Sequence, residues 1–332
     1  MAGIKDIAKI TGLSLATISR VLNDSPLVSP KTKKKVLDAA KTLDYRPNMM
    51  AAALRSGKSN IVGVIVPEIN NSFFSSIING IERKLSAAGY NIIITQSHES
   101  AEKESTAIES FIQLKTDGIL MSLSNKTSDF SFVDKLSELQ IPLVFFDRVP
   151  SLKETTSIVL NNYQGAFLAT QHLIDSGCRQ LFHIAGNLRV SIFKEREKGF
   201  LDALEKNDLH PTKDCIVHLS YDIEKDTKML QKHLNTYPST DGFFAHGDDS
   251  CLYTINRLKH LGKDIPKEIK AVGFGDTDFC VRVDPQISTI DQKCDAMGAA
   301  AAALLLKQLN QHQIIHSKEI LAPELIIRNS SH

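Results

Sequence analysis

The stretch IKDIAKITGLSLATISRVLN, residues 4–23, decides how the chain begins to fold. Ile4, Ile7, Ala8 and the adjacent Ile10 recur at the spacing of one apolar helix face, and Gly12 breaks that pattern. Ser14 then offers a side-chain oxygen to the first turn of a second helix, in which Ile18, Val21 and Leu22 face inward. A third start signal stands at Val28-Ser29-Pro30, a Ser cap with Pro at the first helical position. That helix runs through Val36, Leu37, Ala40 and Leu43 and ends at Tyr45-Arg46-Pro47. Two helices joined by a Gly-containing turn and braced by a third make a helix-turn-helix head, spanning residues 1–46.

Charge sets this head apart from the rest of the chain. Residues 1–58 hold eleven Lys/Arg against four Asp, a net of +7 within a chain whose total is +1. The remaining 274 residues carry 28 basic and 34 acidic side chains, a net of −6. A small basic head on a larger acidic body is the pattern of a polyanion-binding module joined to something else. Residues 47–59 hold one short Ala/Met/Leu segment and then Arg-Ser-Gly-Lys-Ser, too little to build a core of their own, and read as a hinge.

From residue 60 the texture changes. Apolar, β-branched strand candidates at 61–66, 90–95, 118–121, 143–146, 157–160, 181–185, 215–219, 242–245 and 269–274 alternate with helical stretches such as 72–88, 163–176, 194–206 and 248–261. This alternation predicts an α/β fold of doubly wound parallel sheets. Nine strands are many for one sheet, so residues 60–332 are expected to form two lobes.

Several function classes fall away on composition. The 42% hydrophobic, 23% charged chain is not a disordered one. Its longest uncharged apolar run, residues 296–306, is short of the roughly 20 residues a bilayer helix needs. Lys5, Asp6 and Lys9 stand where a secretory leader would carry its apolar stretch. Five scattered cysteines (178, 215, 251, 280, 294) make neither a disulfide framework nor a zinc finger, and fit a cytoplasmic location. No GxSxG, HExxH, Walker A or GxGxxG motif occurs, so neither catalytic residues nor a cofactor or metal is expected. The segment His246-Gly247-Asp248-Asp249 invites a metal or acid–base reading, but no second ligand cluster lies near it in sequence.

Residues 4–23, residues 28–48 (VSPKTKKKVLDAAKTLDYRPN) and residues 49–67 (MMAAALRSGKSNIVGVIVP) resemble the head, hinge and first core strand of the lactose/galactose-repressor (LacI/GalR) family of bacterial transcription regulators. The likeness continues to GFGDTDFCVRVDPQISTIDQ at residues 273–292 and so covers essentially the whole chain. It implies a helix-turn-helix head, a hinge helix, and a core like a periplasmic sugar-binding protein. The effector would lie between lobe one, about 60–160 plus 291–321, and lobe two, about 161–290 plus 322–332.

The second helix presents Leu15, Ala16 and Arg20 outward. Arg can fork onto guanine O6/N7, while small apolar side chains touch a thymine methyl. The resemblance gives these three the reading of operator bases. Ser14, Thr17, Ser19 and Asn23 are short hydrogen-bonding residues suited to phosphate oxygens, which position without specifying. By resemblance, Leu54 in the hinge wedges into the minor groove at a central base step; an apolar wedge unstacks a step at a few kcal/mol and gains contact in the bent duplex.

In the core the resemblance points to an effector pocket made of Asn71, Phe73, Phe74, Asp147, Arg148, Arg196, Tyr221, Asp248 and Asp276. Aromatic faces suit the CH face of a sugar, and Asp147 and Asp276 suit its hydroxyls. Arg148 and Arg196 could also fork onto a carboxylate or phosphate, so the sequence leaves the effector's charge open. One residue of the adjacent Phe73–Phe74 pair must face inward. Gly247 and Gly275 stand where relatives commonly place a ligand-binding Asn and Asp, with the acids one residue later.

The sequence thus predicts a DNA-binding transcription regulator, a repressor, working as a homodimer on palindromic operator DNA under control of a sugar or sugar derivative, without a membrane. A solute-binding protein of a transport system is the alternative, disfavoured by the basic head. The segment LAPELIIRNSSH, residues 321–332, shows no leucine heptads of the kind that join dimers into tetramers.

Overall fold

The structure, a computed structural model, describes residues 3–22, 25–45, 58–70, 72–188, 190–311 and 313–332. They fall into two compact units, Met1–Ser59 and Asn60–His332.

In the first unit α1 (Ile4–Thr11), α2 (Leu15–Leu22) and α3 (Pro30–Thr42) close around Ile7, Ile18, Val21, Val36, Ala39 and Ala40. α1 starts at Gly3, whose amide donates to the Asp6 carboxylate. It stops at Gly12, whose left-handed φ of 68° turns its amide back to Ala8 O. Ser14 Oγ accepts from Thr17 N at 3.2 Å, and Ser29 Oγ accepts from Thr32 N ahead of Pro30.

Ile10, counted on the apolar face of α1, is 56% exposed, and Leu37 of α3 is 52% exposed. At about 100° per residue, Ile10 lies off the stripe of Ile4, Ile7, Ala8 and Thr11, and Leu37 off that of Val36, Ala39, Ala40 and Leu43. Thr11 takes the buried place on α1, its hydroxyl donating to Ile7 O at 2.7 Å.

The second unit has two lobes. β1 (Ile61–Val66), α4 (Ser72–Ser86), β2 (Asn91–Gln96), α5 (Ala101–Gln113), β3 (Gly118–Met121), α6 (Ser131–Glu138), β4 (Leu143–Phe146) and β5 (Thr156–Leu160) begin lobe one. Lobe two holds α7 (Asn162–Asp175), β6 (Leu181–Ala185), α8 (Ser191–Lys206), β7 (Ile216–His218), α9 (Ile223–Thr236), β8 (Gly242–Ala245), α10 (Asp248–His260), β9 (Lys270–Gly275) and β10 (Ser288–Asp291). Then come α11 (Cys294–Gln311), β11 (Ser317–Leu321) and β12 (Glu324–Ile326).

One sheet runs β11-β5-β4-β3-β1-β2, all parallel. The other runs β12-β10-β9-β8-β6-β7, parallel except for β12 against β10. α11 packs on β3, β4 and β5 while β12 closes the second sheet, so the chain crosses between lobes three times, at residues 160–162, 291–294 and 321–324. The central strands are buried on both faces: Val62, Leu120 and Val144 on one side of the first sheet, Ile65, Ile119 and Phe145 on the other.

Glycines let the helices beside the crossovers approach closely. A Cβ on Gly298 of α11 would stand 2.0 Å from Ile77 O of α4, and one on Gly199 of α8 would stand 2.3 Å from Tyr163 O of α7. The crossovers are thereby anchored to rigid helix pairs. Parallel strands with all their carboxyl ends on one side leave the loops after β1, β4, β8, β9 and β10 facing a common interlobe cleft.

Candidate functional site

On the head, Leu15, Ala16 and Arg20 are all exposed on α2, opposite the buried Ile18 and Val21. Ser14 and Thr17 bond to each other at the helix start, and Ser19 is half-buried. Asn23, Leu54 and Asn71 lie outside the described residues.

The cleft between the lobes encloses about 230 Å³. That is just below the roughly 300–1,000 Å³ of ordinary small-molecule pockets. Of the residues expected there, Phe73, Phe74, Asp147, Arg148, Arg196, Tyr221 and Asp248 line it. Phe74 is the inward member of its pair, and Phe73 meets it edge-on with ring centroids 5.0 Å apart.

Arg196, on α8, is the centre of the cleft and is 4% exposed. Its guanidinium lies 3.6 Å over the Phe274 ring. Nε donates to Asn162 Oδ1 at 2.9 Å, Nη2 to Gln292 Oε1 at 3.1 Å, and Nη1 to the His246 carbonyl. Burial pushes its pKa down to about 9, against the pull of Asp147 and Asp248, so it remains a cation at neutral pH.

Asp147 directly follows β4 with a left-handed φ of 59°. Burial raises its pKa, while Arg148 and Arg196 oppose that rise. Arg148 donates to Glu99 Oε1 at 2.6 Å, lies 3.8 Å from Asp147 Oδ2, and sits over the Phe74 ring. Tyr221, at φ 60°, repeats the left-handed turn across the cleft; such backbone costs of order 1–3 kcal/mol and clusters at binding sites.

Two expectations need correcting. Asp276 is not part of the cleft wall, because its Oδ1 accepts from Arg328 Nη2 at 2.6 Å. Asp248 does line the cleft, but its oxygens are filled by its own chain: Oδ2 accepts from Thr277 N at 2.9 Å and Thr277 Oγ1 at 3.0 Å, and Oδ1 from Thr289 Oγ1 at 2.5 Å. These bonds brace the start of α10 against the loop after β9 and against Thr289 of β10. Gly275 makes room for it, since a Cβ there would stand 2.7 Å from Asp248 Oδ2. Gly247, by contrast, is open, its nearest neighbour being Ser250 Oγ at 3.8 Å.

Sequence reasoning missed Ile192, Phe193, Ser250, Phe274, Thr277 and Gln292 as cleft residues. Position alone could have found Phe274, next to last in a strand, and Phe193, three residues before Arg196 on the same helix.

His246 lines the cleft through a ring whose Nδ1 lies 3.2 Å from Ile184 O, and burial pushes its pKa down to about 4. His183, in the core beneath, donates from Nδ1 to Phe244 O and is pushed down by burial to about 3. An unfolded imidazole takes up its proton near pH 6.5, long before either native one does. Each therefore withdraws up to about 1.4 kcal/mol of stability per pH unit as pH falls below 6.5 toward its native value. The raised carboxyls Asp147 and Glu104 act in the opposite sense, so the test is a difference. Urea unfolding between pH 6 and 5 is expected to show a slope about 1.2 kcal/mol per pH unit shallower in His183→Phe than in the parent. Equal slopes would mean that His183 is protonated in the native protein.

A family signature described as bacterial regulatory proteins, lacI family, matches residues 3–48, and one described as a periplasmic binding protein-like domain matches residues 170–331. The ribose operon repressor of Halalkalibacterium halodurans is 30% identical over 100% of this chain and 97% of its own length. Catabolite control protein A of Priestia megaterium is 31% identical over 99% and 98%. Among solved structures, the lac repressor dimer bound to operator and the anti-inducer ONPF superposes with a TM-score of 0.87 at 23% identity, covering 99% of each chain. At that identity the likeness speaks for the fold alone. The chain belongs to the LacI family of bacterial regulatory proteins. It is accordingly a DNA-binding regulator of transcription, neither an enzyme nor the solute-binding protein of a transport system. No helix among the described residues is long and apolar enough to cross a membrane.

Proposed function

We propose that the protein is a cytoplasmic repressor whose homodimer binds a palindromic operator and whose operator affinity is set by an uncharged sugar in the interlobe cleft. One observation carries the effector's class: both guanidiniums of the cleft already have carboxylates beside them. Arg148 is paired with Glu99 and faces Asp147, while Arg196 has Asp147 and Asp248 beside it and three acceptors on its nitrogens. An incoming carboxylate or phosphate would have to displace one of these acids. A polyol needs no such exchange: it stacks on Phe73 and Tyr221, donates to Asp147, and accepts from the two N–H groups Arg196 has left of its five. Ribose and cellobiose, named with similar proteins, are sugars of this class.

The switch is cleft closure. Asp147 belongs to lobe one and Arg196 to lobe two, so a ligand touching both favours one lobe arrangement, by no more than its differential affinity for the two states. Lobe one starts directly after the hinge segment 47–59, which carries the expected minor-groove residue Leu54.

Selecting bound duplexes from a random pool, with and without D-ribose, D-xylulose, D-glucose and cellobiose, tests both halves of the reading. A two-fold symmetric consensus whose recovery depends on a neutral sugar is expected. With D-glucose 6-phosphate added to the panel as the anionic arm, dependence on that sugar phosphate alone would overturn the effector's class. On the recovered duplex, Arg20→Ala is expected to lose about 1–3 kcal/mol and relax one base position, whereas Lys34→Ala weakens all sequences equally and lowers the salt slope by about 1. Unchanged base discrimination in Arg20→Ala would displace Arg20 from the reading face.

A further inference from the structure

We infer that Asn162 is a positioning residue that ties the effector cleft to the interlobe crossovers through Arg196. The inference rests on reading the cleft as the effector site. Asn162 is the first residue of α7, at the end of the first crossover; it is 2% exposed and is not among the residues that line the cleft. Its carboxamide works in two directions. Nδ2 donates to Leu160 O at 3.2 Å, the last residue of β5 in lobe one. Oδ1 accepts from Arg196 Nε at 2.9 Å, in lobe two.

Arg196 continues the link: Nη2 donates to Gln292 Oε1 at 3.1 Å, and Gln292 lies in the second crossover, between β10 and α11. One guanidinium thus bolts two of the three crossovers together from a position in the cleft wall, with two of its five N–H groups not used in these bonds. A sugar that pulls on those groups pulls on the segments about which the lobes must turn. Asn162 fixes the rotamer from which that pull is exerted. The amide is required because no other side chain of its size donates and accepts in these two directions; a carboxylate would still accept from Arg196 but would set oxygen against the Leu160 carbonyl.

The test uses the full chain as Asn162→Leu and Asn162→Asp. Hydrogen exchange of residues 160–163 and 291–294, without sugar, is expected to quicken at least tenfold in both variants relative to the parent. Operator affinity is then measured with and without D-ribose, D-xylulose and cellobiose. The ratio between the two conditions is expected to fall at least fivefold in Asn162→Asp, the variant that keeps an acceptor for Arg196. Unchanged protection at both crossovers overturns the inference, as does a lowered melting temperature with the parent's coupling ratio, which would make Asn162 merely structural. If none of the three sugars binds the parent, the effector reading fails separately, and the exchange result still decides whether Asn162 braces the crossovers.

Discussion

Arg196→Met is expected to abolish the response of operator affinity to sugar and to destabilise the core by about 3–5 kcal/mol, the usual cost of breaking a buried charged network from one side. Methionine fills much of the volume and still touches Phe274. It leaves Asn162 Oδ1, Gln292 Oε1 and the His246 carbonyl without their donor, and Asp147 with only Arg148 for compensation. Arg196→Lys separates charge from geometry. A lysine restores the cation opposite Asp147 but cannot reach three acceptors in one plane, so stability should recover in part and the sugar response should not. Urea unfolding gives the first quantity, operator titration with and without sugar the second. A Met variant that still responds at the parent's sugar concentration would remove Arg196 from the site.

Why so much of this was legible, and some not, depends on where each residue sits. Strands buried on both faces, such as residues 61–66 and 118–121, announce themselves as apolar runs, and they appear in the structure at those bounds. The three strands that escaped notice are those with water or polar neighbours. β11, SKEIL, is a sheet edge with Lys318, Glu319 and Ile320 exposed, and β10, STID, is half polar although its Ser288 and Thr289 are buried. Missing β10 also hid Gln292, which gains its meaning only as the residue after a strand. In the cleft, the family resemblance pointed to Arg196 and Asp147 as neighbours, and both line it. It could not show that Asp276 had been claimed by Arg328, a partner 52 residues away. Nor could it show that Gly275 is small on behalf of Asp248 rather than of a ligand. Hydrogen-bond partners set by tertiary packing are what a single sequence withholds.

Asp248→Ala carries the second large effect. The carboxylate is 3% exposed and accepts three hydrogen bonds, from Thr277 N, Thr277 Oγ1 and Thr289 Oγ1. Removing it leaves a buried amide and two hydroxyls to find new partners, at about 1–3 kcal/mol for each group that fails. The threonines can rotate and the Thr277 amide cannot, so a loss of about 3–4 kcal/mol in urea unfolding is expected. The loop after β9 then loses its tie to α10, and sugar affinity should fall with it, although Asp248 need not touch the ligand. A second substitution distinguishes brace from contact. A Cβ on Gly273 would stand 2.4 Å from Asp248 Oδ1, so Gly273→Ala alone should be strongly destabilising. In the Asp248→Ala background the closest obstacle is gone, leaving contacts of 3.3 Å with the residue 248 Cα and with Cys251 Cβ, and the new methyl fills part of the space left behind. The double variant should therefore be more stable than the sum of the single losses by at least about 1 kcal/mol, the coupling expected of residues in direct contact. Strict additivity would mean that Gly273 and Asp248 do not meet, and that the small residues beside the cleft answer to its ligand instead.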